Sequence, residues 1–586
     1  MQDAQVVLEI LRDRGRRHLP VDELYRQLFN PSLYLLAWAK IYANDGALTP
    51  GASGDTADGM SMDKINSITE LMRYERYQFT PVRRVLIPKK KGGMRPLGMP
   101  SWSDKLVGEV MRLLLEAYYE PRFSDRSHGF RPGRGCQTAL TEIQDTWTGT
   151  TWFIEADIRD CFGSLDHDTL LTILAENIHD GRFLELVRRM LKAGYIQDWE
   201  WEPTPSGAPQ GGVLSPILSN IYLDKLDKFV ETELIPEYTR GTRRAHNREY
   251  TQRSRQIADA RKRGDRNQVT TLEHQRRQMP TGDTYDPGYR RLRYCRYADD
   301  QLLGFIGPKA EADQIKQRLG VFLRQELKLE LSDTKTLVTH ARKDKARFLG
   351  YDIRVGLDQS HRDRKHAKRS LNGRVLLAVP AMVITAKAAF YLKGGKSRSF
   401  RAWHHRSDYW IVGWYGAVYR GVVNYYKLAY NLYRLGKLRW IMETSMLKTL
   451  AGKHRISTSA AARKYRTRID TPRGPRTCFQ AQLERPQRRP LTAWFGEVQL
   501  NRDRKARILE PTTRLIPRYG VELAKRVRTR RCELCDRTRI PVETHQVKNL
   551  NVLDPQGQRW EQIMARKHRK TLIVCADCHA MIHHTE

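Results

Sequence analysis

Asp299 and Asp300 stand side by side in LRYCRYADDQLLGFI, between two apolar, strand-like runs. Hard divalent cations take oxygen ligands, so an adjacent carboxylate pair can hold one. Asp is depleted in strands and favoured in turns, which predicts a tight β-hairpin with the pair at its tip. Alone, the same pair reads as a solvated acidic turn. A third carboxylate, Asp157, lies near the end of the apolar run WFIEADI. There a strand leaving the core would present a ligand, or the residue would serve as a helix cap or turn. The other cluster lies near the C-terminus, where Cys532-x2-Cys535 is followed by Cys575-x2-Cys578. Four thiolates in two such knuckles suit a tetrahedral structural Zn2+. His545, His579 and His583 could hold a second divalent ion, the last two being one helical turn apart. His579 follows a cysteine directly, so it could instead support a zinc ligand from outside.

Bulk composition says what these groups would act on. Lys and Arg outnumber Asp and Glu 103 to 66, a net charge of +37 over 586 residues. Such an excess on a folded-looking composition points to a polyanionic partner. At ~150 residues per domain, roughly four domains are expected. A 40% hydrophobic content argues against wholesale disorder. No run approaches the ~18 apolar residues of a membrane span. The N-terminal stretch lacks the apolar core and cleavage site of a secretory signal. Only CxxC pairs organise the cysteines, a pattern of metal use in a reducing compartment. A soluble protein of the bacterial cytoplasm or nucleoid, without membrane partners, is therefore expected.

The elements that must position these residues follow in order. A helix is predicted over 21–45, then a polar Gly-rich loop over 44–59, then a helix over 65–74. VRRVLIPKKKGGMRPLGMP predicts a hairpin with a cationic tip, where Lys89, Lys90, Lys91 and Arg95 could meet phosphates or merely form a solvated edge. A helix over 104–119 leads to the rigid basic loop HGFRPGRG. SGAPQGGVLSPILSN is a Gly/Pro loop entering a helix, and its glycines permit close backbone approach to a ligand. Residues 240–291 form a basic insertion, either a solvated helical pair or an RNA-contacting arm. After the hairpin come a helix over 310–325, a turn with Lys335, and a strand over 348–353. Alternating strands and helices from about 82 to 355 predict an α+β core. Residues 370–470 turn helical, with a 3.6-residue apolar stripe from Ile411 to Leu432. Gly413, Gly416 and Gly421 weaken that helix and predict close packing. Residues 471–531, rich in Pro and Arg, read as a basic nucleic-acid-binding segment or linker.

Taken together, RRVLIPKKKGGMRPLGMPS, HGFRPGRG, FIEADIRDCFGSLDH, GAPQGGVLSPILSNIYL, RYADD and FLGYDI resemble, in that order, the group II intron-encoded proteins, intron maturases with reverse transcriptase activity. RGVVNYYKLAYNLYRL resembles their thumb, and CELC through CHAMIH their HNH-type endonuclease domain. The resemblance implies a right-hand polymerase of fingers and palm with an α-helical thumb and a small zinc-bound C-terminal domain. It divides the chain into an N-terminal extension and first fingers block (1–80), fingers and palm (81–360), thumb (361–475), a basic DNA-binding region (476–528) and the HNH-like domain (529–586).

By the same resemblance, Asp157, Asp299 and Asp300 are the palm acids. Asp157 and Asp299, with the Ile158 carbonyl, would bind two Mg2+. Lys89 and Arg95 would meet the triphosphate of a dNTP, and Lys335 would match a palm lysine near it. Phe162 would crowd the sugar 2′ position, and Gln210 and Gly211 would lie beside nucleotide and template. In the endonuclease, His545 takes the place of a metal ligand and Gln546 that of the general base. Gln accepts no proton near neutral pH, so weak or absent strand cleavage is implied. An alignment shifted by one residue would make His545 the base and Thr544 the missing ligand, but Val547 fits the first alignment better. The implied partners are the parent intron RNA, target DNA and dNTPs. The implied work is splicing, reverse splicing and cDNA synthesis during retrohoming. A splicing cofactor acting mainly by binding is the alternative, which loss of the palm acids would have favoured. Another bacterial reverse transcriptase is a third reading, disfavoured by the thumb motif and the cysteine knuckles.

Overall fold

The computed structural model describes residues 2–585 except 45, 89–91, 198–199, 203, 205, 208–211, 284–285, 359–371, 472–473, 486–487, 508–517 and 551–552. A four-stranded sheet organises the centre. Its strands run Arg291–Tyr297, Asp300–Ile306, Trp152–Asp157 and Leu337–His340, each neighbour antiparallel. Side chains alternate between two cores. Phe153, Cys295 and Leu302 pack with Ala139, Leu140 and Ile143 of helix Cys136–Thr146. Ile154, Tyr294, Leu303 and Phe305 pack with Ile315, Leu319 and Leu323 of helix Lys309–Leu327. Burial on both faces explains why LLGFI reads as an unbroken apolar run.

The predicted hairpin over 82–100 pairs Val82–Pro88 with Met94–Met99 and joins Tyr195–Gln197 and Glu200–Glu202 in a second sheet. The basic insertion is a helical pair, Arg248–Lys262 and Arg266–Gln278, closed by a small contact among Ile257, Ala260 and Leu272. The helical region contains Ala381–Ala389, Asp408–Tyr425, Leu435–His454 and Thr458–Tyr465. Its stripe is core: Ile411, Tyr415, Val422 and Tyr426 are buried. At Gly416 a Cβ would lie 1.9 Å from the Trp494 carbonyl oxygen, the close packing its sequence predicts.

Three local expectations are corrected. The helix predicted over 21–45 is a 3-10 turn, Tyr25–Phe29, and a separate helix, Pro31–Ile41. Asn30 breaks it by accepting the Ser32 N–H at 3.0 Å, and Pro31 opens the next helix because it has no N–H to leave unpaired. FLGYDI is two strands, Ala346–Phe348 and Tyr351–Val355, reversed at Leu349 and Gly350, both at positive φ. Residues 466–495 are no linker. Arg466–Thr471, Gly474–Arg485 and Arg488–Phe495 make an antiparallel sheet that straddles the boundary expected at 475/476. Phe479 and Phe495 bury against the helical core. Exposed arginines hide that alternation in the sequence.

The two ends of the chain meet. Leu523, Val527, Val542 and Ile573 join the core built by the N-terminal helices. Met60–Ser61 adds an antiparallel edge strand to Glu543–Gln546, whose other neighbour is Thr571–Val574. No helix among the described residues is long and apolar enough to cross a membrane.

Candidate functional site

Asp157 sits directly opposite Asp300 in the central sheet. Alternation places both on the face that carries Phe153 and Leu302. Tyr297 also pairs with Asp300, so the two-residue turn is Ala298-Asp299. The pair is thus split: Asp299 is at the tip and Asp300 already lies in the strand. Ala298 takes φ 54° to close the turn. Lys335 Nζ donates to Asp157 Oδ2 at 2.7 Å. Burial, then the charges of Asp299 and Asp157, pushes the Asp300 carboxyl up to about 6. Burial chiefly raises Asp299 too, with Asp157 adding to it and Lys335 and Arg95 opposing. Ile158 is buried and bridged to Leu331.

Arg95 is exposed on strand Met94–Met99. Phe162 is half-buried in the 3-10 turn Cys161–Gly163, with its ring edge-on to Phe130 at 6.3 Å. The Gly/Pro loop is pinned to this turn at its start. Ser206 donates to the Gly163 carbonyl at 3.0 Å, and the Gly207 N–H to that of Leu165 at 2.8 Å. Lys89, Gln210 and Gly211 lie outside the described residues, as do Lys90 and Lys91.

The hairpin has a support that motif reading misses. Arg296 is fully buried and forks onto Asp227 Oδ1 and Oδ2 at 2.8 and 2.5 Å. It also donates to the Ala298 carbonyl at 3.0 Å, fixing the turn itself. Tyr294 donates to Asp227 at 2.8 Å, and Asn220 receives from Arg296 at 3.1 Å. Asn220 donates in turn to the Gly129 carbonyl at 2.9 Å. A Cβ on Gly129 would come within 2.4 Å of the Ala298 nitrogen, so the HGF loop can touch the turn only through glycine. Arg296, between Cys295 and Tyr297 just before the acid pair, is the one sequence signal for this network. A buried guanidinium requires a carboxylate.

The crowded carboxylates predict a pH effect. Asp300 rises from 3.8 to about 6 on folding, so stability is fully present below pH ~4 and lost as pH rises through 6. Asp300→Asn should therefore stabilise the metal-free protein by up to about 3 kcal/mol near pH 8 and by nothing below pH ~4. Mg2+ should shrink the gain. Thermal unfolding of both proteins with chelator and with Mg2+ tests this; an equal gain at both pH values would refute it.

At the C-terminus, Cys532, Cys535, Cys575 and Cys578 converge, their sulfurs all within 4.8 Å of one another. The Cys535 and Cys575 sulfurs are 3.9 Å apart, and Arg537 lies 3.4 and 3.1 Å from them. That guanidinium, with neighbouring donors, pulls the Cys535 thiol down to about 6. The donor set fits a structural zinc ion.

His545, His579 and His583 also converge, and the structure adds a residue the sequence does not flag. Asp58, in the loop read as merely polar, completes a group whose donor atoms lie within 4.8 Å of one another. Burial pushes His545 down to about 4. Burial opposes His579 as well, but bonds to Asp58 and Glu543 outweigh it and lift it to about 9. Gln546 is nearly buried; its N–H donates to Asp58 Oδ1 and its amide to the Tyr42 carbonyl, each at 2.6 Å.

Comparison with known proteins agrees with this layout. Residues 87–353 match the family "Reverse transcriptase (RNA-dependent DNA polymerase)". Residues 372–469 match "Type II intron maturase", and 532–579 match "AI2M/AI1M-like, HNH endonuclease". The chain is 36% identical over 610 residues to Group II intron-encoded protein LtrA of Lactococcus lactis subsp. cremoris, covering 100% of both. It is 32% identical over 582 residues to the Putative COX1/OXI3 intron 1 protein of Saccharomyces cerevisiae, covering 94% of this chain and 68% of that one. It is 33% identical over 592 residues to the Uncharacterized 91 kDa protein in cob intron of Schizosaccharomyces pombe, covering 98% and 71%. With end-to-end likeness to one such protein and three matched families in the expected order, the chain belongs to the group II intron-encoded proteins and combines reverse transcriptase, maturase and HNH endonuclease regions.

Proposed function

We propose that this protein binds its parent intron RNA, promotes splicing and reverse splicing, and copies the inserted intron into cDNA. The observation that carries the polymerase reading is the register of Asp157 with Asp300, one residue from Asp299 at the turn. Three carboxylates gathered at one end of the sheet, two of them with proton affinity raised by burial and by their acidic neighbours, form a donor set suited to Mg2+, and Asp157, Asp299 and the Ile158 carbonyl are the assigned ligands. Two such ions would neutralise charge on the reacting phosphate and lower the pKa of the primer 3′-hydroxyl.

The chain's own contribution is positioning. The Arg296–Asp227 pair holds the turn that aims Asp299. Lys335, beside Asp157, and Arg95, whose charge reaches Asp299, provide cations for the triphosphate. Phe162 stands on a turn braced by the Gly207 loop, where it would exclude a ribose 2′-hydroxyl. Lys89 and Gln210 are assigned to the nucleotide from the family resemblance alone.

The splicing chemistry belongs to the RNA, which the basic surface would stabilise. Helices Arg248–Lys262 and Arg266–Gln278 bury few residues and expose many arginines, consistent with an RNA-contacting arm. The C-terminal unit would carry Zn2+ on its four cysteines and bind target DNA. Its cleavage should be weak, because Gln546 offers no proton-accepting group and its amide is engaged by Tyr42.

Splicing of the cognate intron RNA at low Mg2+, with and without protein, tests the reading alongside primer extension on an RNA template. Stimulated splicing together with cDNA synthesis is expected. Extension without any preference for intron RNA would refute the maturase assignment.

A further inference from the structure

We propose that Asp58, His545, His579 and His583 form one divalent transition-metal site shared between the two ends of the chain, with Asp58 as the ligand from the N-terminal block. The proposal rests on the reading of the three histidines as metal ligands and adds a ligand and a role to it.

The donor atoms are already gathered. Asp58 Oδ2 lies 2.8 Å from His583 Nε2 and 3.2 Å from His579 Nε2, which are 3.1 Å from each other. Asp58 Oδ1 is 3.7 Å from His545 Nδ1. Neighbouring ligands on a tetrahedral zinc ion stand about 3.3 Å apart; the spacings among Asp58 Oδ2 and the two Nε2 atoms come close to that, and His545 completes a set with one donor atom per residue, all within 4.8 Å of one another. Three imidazoles and one carboxylate favour Zn2+ over Mg2+.

A second observation points the same way. Glu543 Oε1 is 2.8 Å from His579 Nδ1, an outer carboxylate that orients the imidazole and turns Nε2 toward the cluster. The loop bearing Asp58 is itself held. The Gly59 N–H donates to the Thr544 carbonyl at 2.8 Å, the Thr544 hydroxyl donates to the Met60 carbonyl at 3.1 Å, and Met60–Ser61 pairs with Glu543–Thr544. Asp58 therefore reaches the histidines on a fixed backbone.

The ligand count sets the role. A hydrolytic zinc site keeps one coordination position for water, whereas four protein ligands close it. With Asp58 in place the ion would clasp the N-terminal block to the C-terminal unit, and opening the site to DNA would require withdrawing Asp58.

Zinc content of the full-length protein, equilibrated against a weak zinc chelator, tests this. Wild type should hold two zinc ions per chain. Asp58→Asn, which can still accept the Gln546 N–H, and Asp58→Ala should keep the cysteine-bound ion and bind the second at least about tenfold more weakly. Retention of the first ion reports that the domain is folded. Cobalt substitution separates the sites, since only the cysteine site gives thiolate charge-transfer bands. An unweakened second ion in both Asp58 variants overturns the shared site and leaves the histidine reading standing. One ion in wild type, with His579→Ala the same, overturns both.

Discussion

Asp299→Ala should abolish primer extension, lowering kcat by about 10^3-fold or more, while intron splicing continues near the wild-type rate. The size follows from what the side chain is assigned to do. A group that stabilises transition-state charge through a bound metal has no substitute in a site whose other donors are fixed. Asp300 cannot take over. It lies in the strand, in register with both Asp157 and Tyr297, while Asp299 alone occupies the turn with Ala298. Arg296 holds that turn through the Ala298 carbonyl, so the backbone should not relax to move Asp300 forward. Splicing is expected to persist because no splicing role falls on the carboxylate. The decisive comparison measures both activities on one preparation. Extension within tenfold of wild type would show that the proposed metal seat lies elsewhere, and joint loss of both activities would point to a collapsed fold.

Removing zinc from the four cysteines should unfold the C-terminal unit and leave the polymerase intact. The unit's own core is small, built around Leu534, Trp560, Met564, Leu572, Val574 and Ile582. A core of that size needs a covalent or metal staple to hold its shape. In isolated zinc-finger peptides such ions supply about 10–16 kcal/mol. Here Leu523, Val527, Val542 and Ile573 anchor the unit to the N-terminal core, so part of the loss is offset. Cys575→Ser, or a strong chelator, should open the arginine-rich stretch before Cys532 to trypsin and release a shortened product that still extends primers. DNA binding should fall with it. Unchanged proteolysis of protein shown to be zinc-free would rule out a structural role for the ion.

What the sequence announces differs from site to site. Paired CxxC knuckles are legible because each pair is local and thiolate chemistry is narrow. The acid pair in RYADD is legible because an apolar run on either side demands a turn. The register that sets Asp157 against Asp300 is not, since hydrophobic periodicity assigns faces and leaves partners open. FLGYDI reads as one strand because its apolar pattern continues across the reversal at Leu349 and Gly350. The sheet over 466–495 hides because its exposed positions mix Arg, Pro, Gly and polar residues, a composition that reads as a linker. Asp58 is the hardest case. It sits in a Gly-rich polar loop with no periodicity, and its partners lie at the opposite end of the chain.

That separation bears on synthesis. The bond from Thr544 to Met60 spans 484 residues. At about 5–20 residues per second, Met60 and Ser61 wait roughly 25–100 s on the ribosome before their partner strand is made. By about the middle of that interval the basic helical pair, Arg248–Lys262 and Arg266–Gln278, and the hairpin bearing Asp299 have been made. The nascent chain thus presents its basic helices before its ends can be joined.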